Sequence, residues 1–260
     1  MFHLAAYYQQ VDPAGAYVQV TPIADAVLTV NSPKILVPSL NQIILAAGGA
    51  ESTVLPRMRL VAPSMLTMFR NQITPLNTAA AAAVVPLSPQ RVMNIMNDPI
   101  QLVQGEALTV ELFSDPAAAQ YQWGLVWLAD KVPAPINGKV FTARATVAGA
   151  ATANVWSLQN LTFDDTLPRG RYSCVGFRAF GPSVVAARLL FVGQAWRPGC
   201  LGSILVGDYS HEVFRWGNMG EWGQFEDIDA VQVETLCNAA DAAANMAFFL
   251  DLVQVRAGNS

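Results

Sequence analysis

The side chains with most chemical potential gather between positions 194 and 237. The stretch EWGQFEDID (221–229) holds Glu221, Glu226, Asp227 and Asp229. The alternate spacing of Asp227 and Asp229 projects both from one face of a strand. Paired carboxylates can serve as glycosidase acid and base, or cradle a calcium ion. Carboxylates clustered at a strand entry also fit a solvated loop, or partners for arginine across an interface. A second cluster, DYSHE (208–212), offers Asp208, His211 and Glu212 to a metal. The only other histidine is His3, and no paired cysteine stands nearby. A structural metal site normally takes four protein ligands at recognisable spacing, so no metal is assigned. There is no GxSxG elbow, no P-loop and no GxGxxG after a strand. The expectation is a protein that is not an enzyme and carries no cofactor. The sequon Asn160-Leu161-Thr162 is too short a match to add to this.

Two tryptophan-bearing loops stand out more. They read QAWRPGCLGS (194–203) and FRWGNMGEWGQF (214–225). Trp196, Trp216 and Trp222 alternate with Arg197, Arg215 and several glycines. Tryptophan and arginine are the residues most enriched where proteins bind tightly. Such loops can touch another subunit, stack on a sugar, or fold inward as a plug over one end of a β-sandwich. Together with Arg178 and Arg188, these five residues are the candidates for contact between subunits.

Composition favours contact. Charged residues make up 13% of the 260 and hydrophobic residues 53%, against about 25% charged in an ordinary soluble domain. Mean hydropathy is positive. Such a chain hides its apolar surface in a membrane or against other copies. No run of about 18 uncharged apolar residues occurs, so no spanning helix is predicted. The start, MFHLAAYYQQVDP, lacks the basic region and cleavage signal of a secretory peptide. The basic residues are mostly arginine, with Lys34, Lys131 and Lys139 the only lysines. Arginine desolvates at lower cost than lysine and is favoured in protein–protein contacts. A net charge of −4 without a basic cluster argues against sequence-specific nucleic-acid binding. Cys174, Cys200 and Cys237 are odd in number and widely spaced. They read as buried free thiols assembled in a reducing compartment.

The elements that must position these residues are strands. Sixteen prolines and 18 glycines cut the chain into apolar segments of about 5–11 residues. Candidates are Tyr17–Val20, Ala26–Val30, Lys34–Val37, Asn41–Ala46 and Met58–Val61. Residues 64–73 read as strand or short helix, and the alanine-rich TAAAAAVVPLSP (78–89) as a helical turn or two. From residue 99 the pattern is more regular. PIQLV (99–103), ALTVELF (107–113), YQWGLVWLA (121–129), KVFTARATV (139–147) and NVWSLQNLTF (154–163) come first. RYSCVGFRAF and SVVAARLLFVG follow, and DAVQVETLC (229–237) and MAFFLDLVQVR (246–256) close the chain. Glycine and proline at 176, 181 and 182 oppose a helix through 170–193. A β-hairpin turned at Gly181-Pro182 is predicted. Both its faces are largely apolar, so the outward face should be covered by another part of the chain or by a neighbouring subunit.

The expected fold is all-β: two jelly-roll-like antiparallel sandwiches in tandem, a smaller one over 1–98 and an eight-stranded one over 99–260. One jelly roll with an N-terminal β elaboration is the alternative. Two successive sandwich blocks in a short, charge-poor chain that favours arginine over lysine resemble the double jelly-roll major capsid proteins of tailless icosahedral viruses and phages. TLPRGRYSCVGFRAFGPSVVAARLLFVGQAWRPG (166–199) looks like the F–G hairpin region of such a coat protein, with DAVQVETLC and MAFFLDLVQVR as its closing pair. The resemblance implies a virion protein assembled in the host cytoplasm. Its partners would be other copies in a homotrimer, other virion proteins and an underlying lipid membrane. A carbohydrate- or receptor-binding sandwich, such as a virion spike, is the alternative function.

Overall fold

The computed structural model describes residues 1–11, 15–50, 57–65, 72–73, 77–78, 92–113, 120–203 and 212–257. Among them there are strands and three single-turn 3-10 segments but no α-helix. The chain divides into two compact units, Phe2–Val132 and Pro133–Ser260, with Met1 grouped in the second.

In the first unit the principal strands are β1 (Phe2–Val11), β2 (Val18–Val20), β3 (Gln42–Ala50) and β4 (Arg57–Val61). They continue with β5 (Gln72–Ile73), β6 (Met93–Asn94), β7 (Ala107–Phe113) and β8 (Gln120–Ala129). Their antiparallel pairs are nested: β1 with β8, β2 with β7, β3 with β6, and β4 with β5. That is the pairing of one long hairpin rolled up on itself, a jelly roll. The two sheets run β1-β8-β3 and β7-β4-β5, with β2 beside β7 and short strands at 30–31, 34–36, 77–78 and 100–101 added to them. The sheets face each other where a Cβ on Gly124 would meet Val110 and Met58 side chains. Tyr7 links them by donating its buried hydroxyl to the Leu108 carbonyl at 3.1 Å.

The second unit repeats the scheme. Its principal strands are β9 (Phe141–Thr146), β10 (Ser157–Asn160), β11 (Gly170–Phe180) and β12 (Val184–Leu190). After them come β13 (Gly199–Ser203), β14 (Gly223–Glu226), β15 (Gln232–Cys237) and β16 (Ala247–Ala257). The nested antiparallel pairs are β9 with β16, β10 with β15, β11 with β14, and β12 with β13. The strand orders are β9-β16-β11-β14 and β10-β15-β12-β13, with residues 162–163 flanking β9. A short parallel contact, Ala179 with Gly202 and Phe180 with Ser203, joins the two sheets. It is close: a Cβ on Gly202 would lie 2.0 Å from the Val184 carbonyl oxygen. The fold is all-β and jelly-roll-like, with a roll in each unit.

Four expectations need correction. The division falls between Val132 and Pro133, not between 98 and 99. ALTVELF and YQWGLVWLA were grouped forward because they follow a break at 98–99. Yet β7 pairs β2 and β4, and β8 pairs β1 and β3. Without them the first roll lacks its last two strands. The predicted hairpin at Gly181-Pro182 is a corner instead. β11 lies in one sheet between β16 and β14, and β12 lies in the other between β15 and β13. By position in the roll, residues 166–199 supply the third and fourth strands rather than an F–G hairpin. The closing strands β15 and β16 likewise end in opposite sheets. Strands β1, β6, β13 and β14 were not anticipated. The alanine-rich segment beyond Thr78, residues 66–71 and the cluster 208–211 lie outside the described residues.

Candidate functional site

Several residues of interest meet on one sheet face of the second roll. Register sets Thr142, Asp251 and Gly176 side by side, and Arg144, Phe249 and Arg178 side by side two residues further along the strands. Neighbouring rows alternate faces. Ala143, Leu250 and Phe177 therefore point the other way, where Phe177 and Leu250 are fully buried. On the near face the turn Glu212–Phe214 and the residues after it lie directly on the sheet. A Cβ on Gly176 would be 2.7 Å from Asp251 Oδ2 and 2.9 Å from the Phe214 carbonyl. Only glycine leaves that room. The register shifts at Val175, and this bulge frees its carbonyl to accept the Gly217 N–H at 2.7 Å.

Asp251 anchors the loop. Its side chain is fully buried. Oδ1 accepts the Thr142 hydroxyl at 2.7 Å and Oδ2 accepts the Trp216 N–H at 3.0 Å. Trp216 sits at φ 51°, a left-handed conformation costly for a bulky residue. Held so, its ring is 46% exposed, with the Arg215 guanidinium 3.6 Å from the ring centre. Arg178 lies over Phe249 at 5.1 Å and approaches Asp251 Oδ1 at 3.7 Å, too long for a hydrogen bond. Burial lowers the Arg178 pKa below the ordinary arginine value, and the positive charge of Arg215 lowers it further, against the pull of Asp251. Arg178 thus has one buried carboxylate within reach, and that carboxylate also holds the backbone beside Arg215.

Two of the remaining candidates, Arg188 and Trp222, are buried inside this unit rather than offered to another subunit. Arg188 is completely buried within the chain and donates from Nε to Glu234 Oε2. Arg197 donates to the other oxygen of the same carboxylate. The Arg188 guanidinium also lies 4.1 Å from the Trp156 ring centre. Trp222 is 2% exposed and packs edge-on against Phe177 and Phe214, so it is core. Of the loop tryptophans, Trp216 is exposed, while Trp196 is half-buried and lines an open cleft of about 530 Å³ with Arg171, Glu221 and Gln224. The cover over the doubly apolar sheet is, at Gly176, this chain's own 212–217 loop.

The carboxylates of 221–229 serve local structure. Glu221 accepts the Ser173 hydroxyl and the Gln224 amide, Asp227 the Gly170 N–H, and Asp229 the Glu226 N–H. Among the described residues no group of three His, Cys, Asp or Glu is placed to hold a metal; Asp208 and His211 lie outside those residues. The three cysteines are free and buried. Burial raises all three thiols, Cys237 to about 12. Glu106 and Asp251 were missed by sequence reasoning, because each is a lone carboxylate with partners far off in the chain, Ser64 for one and Thr142 and Trp216 for the other.

Comparison with family models, with curated proteins and with solved structures returns no match.

Proposed function

We propose that the chain is a self-assembling coat protein, the major capsid protein of a tailless icosahedral virus. The observation that carries this reading is the doubled nested topology. Two jelly rolls, each closed by its first and last strands, occupy one chain of 260 residues. No catalytic cluster accompanies them among the described residues, and only 13% of residues are charged. A shell subunit needs surfaces rather than a reactive centre, and contacts of modest individual strength add up over a closed lattice. Apolar side chains available for such contacts include Ile228, Val192, Leu158 and Trp216, all exposed. On this reading the copies form a homotrimer within the virion shell, with other virion proteins and an underlying lipid membrane as neighbours.

Light scattering after size exclusion, with negative-stain microscopy of the same fractions, tests the proposal. Trimers or shells are the expected result. A monodisperse monomer at high concentration overturns it.

One observation favours a second reading. Trp216 presents an exposed indole on a backbone tied to Asp251, as a sugar- or receptor-binding platform would. Glycan-array binding that disappears in Trp216→Ala supports it, and an array without signal removes it.

A further inference from the structure

We propose that the Arg178–Arg215 pair is a receptor for a carboxylate presented by a second copy of this chain. The inference rests on the self-assembly reading and names the chemistry of one contact. Among the described residues neither guanidinium makes a hydrogen bond, and Nε of each is buried without a partner. The nearest carboxylate, Asp251, has one hydrogen bond on each oxygen already, from Thr142 and from the Trp216 backbone.

Each guanidinium lies over an aromatic ring, Arg215 over Trp216 and Arg178 over Phe249. Stacking fixes the plane and leaves the donor edge to an incoming planar anion. Among the described residues Arg178 has one carboxylate, Asp251, at 3.7 Å and Arg215 forms no ion pair, so positive charge is in local excess. Nearby Arg144 is balanced by Asp164 at 2.5 Å, and Glu212 stands exposed three residues before Arg215. Arginine forks match a carboxylate in two parallel hydrogen bonds. Carboxylates are what each further copy brings in surplus, with 19 acidic against 15 basic residues.

Three proteins are compared by size exclusion with light scattering at rising sodium chloride: wild type, Arg215→Glu and Arg215→Lys. Circular dichroism confirms that the variants stay folded, as expected for a side chain that bonds nothing. Wild-type assembly should weaken with salt. Arg215→Glu should assemble at least about tenfold more weakly at low salt, with little salt dependence left, and Arg215→Lys should fall between. Variants that assemble like wild type overturn the site while self-assembly stands. A wild type that stays monomeric overturns both. A parallel arm uses phosphatidylcholine vesicles containing phosphatidylserine. If Arg215→Glu loses vesicle binding and keeps its assembly, the pair reads a lipid headgroup and the proposal is wrong.

Discussion

Arg188 and Glu234 face each other in register across β12 and β15, both shut away from solvent, with Arg197 on the same carboxylate. An arginine in an apolar strand is tolerated because its charge is neutralised inside the chain. Removing the carboxylate leaves a buried cation without its counter-ion. Glu234→Ala is expected to lower stability by about 3–5 kcal/mol. Arg188→Met, Glu234→Leu and Arg197→Met together should recover most of that loss, since an apolar replacement has no desolvation to offset. Urea titrations of the variants check both statements.

Gly202→Ala tests the junction between the sheets. The added methyl would stand 2.0 Å from the Val184 carbonyl oxygen, and backbone cannot move aside as a flexible side chain can. A cost of about 3 kcal/mol or more is expected, at the upper end for overpacking. Gly138→Ala makes a suitable control, because its nearest neighbours are Val253 methyl groups at 3.3 and 3.4 Å.

Glu106 should make the first roll sensitive to acid. Desolvation acts to raise its pKa, but the Ser64 hydroxyl and the N–H groups of Val103 and Ser64 outweigh it, and the net direction is down. A carboxyl whose folded pKa is depressed stabilises the protein above its unfolded value. That contribution is lost as pH falls through the folded value. Wild type should therefore lose stability below about pH 4.5 more steeply than Glu106→Gln. Urea midpoints taken from pH 7 to pH 3 compare the two slopes.

Much of the strand set was legible because each strand carries its own local signal. ALTVELF and RYSCVGFRAF alternate or run apolar between glycine and proline breaks, and they became β7 and most of β11. Pairing is a different matter. Nothing within ALTVELF says that its partners are Val18–Val20 and Arg57–Val61, so the domain division was misplaced. β13, GCLGS, was hidden by its two glycines, which weaken a strand pattern yet allow the close approach to Val184. The site was legible only in part. Trp-Arg loops drew attention to 214–217, but Asp251 lies 35 residues beyond Trp216, and a lone aspartate in MAFFLDLVQVR gives no sign of what it will hold.

The two tryptophans of one loop should behave in opposite ways. Trp222 is enclosed by Phe177 and Phe214, whereas Trp216 has an open face beyond Arg215. Trp222→Ala removes a large core side chain and is expected to cost about 3–5 kcal/mol. Trp216→Ala should cost far less, because little packing is lost. The alanine also still meets the left-handed backbone that Asp251 holds at this position. Acrylamide quenching separates the two independently of stability. Trp216→Phe should remove a readily quenched component of the emission, and Trp222→Phe a protected one. Equal quenching of both would contradict the placement of Trp222 in the core. If Trp216→Ala unfolds the protein as readily as Trp222→Ala, the indole at 216 holds the fold, and its exposure is no sign of a contact surface.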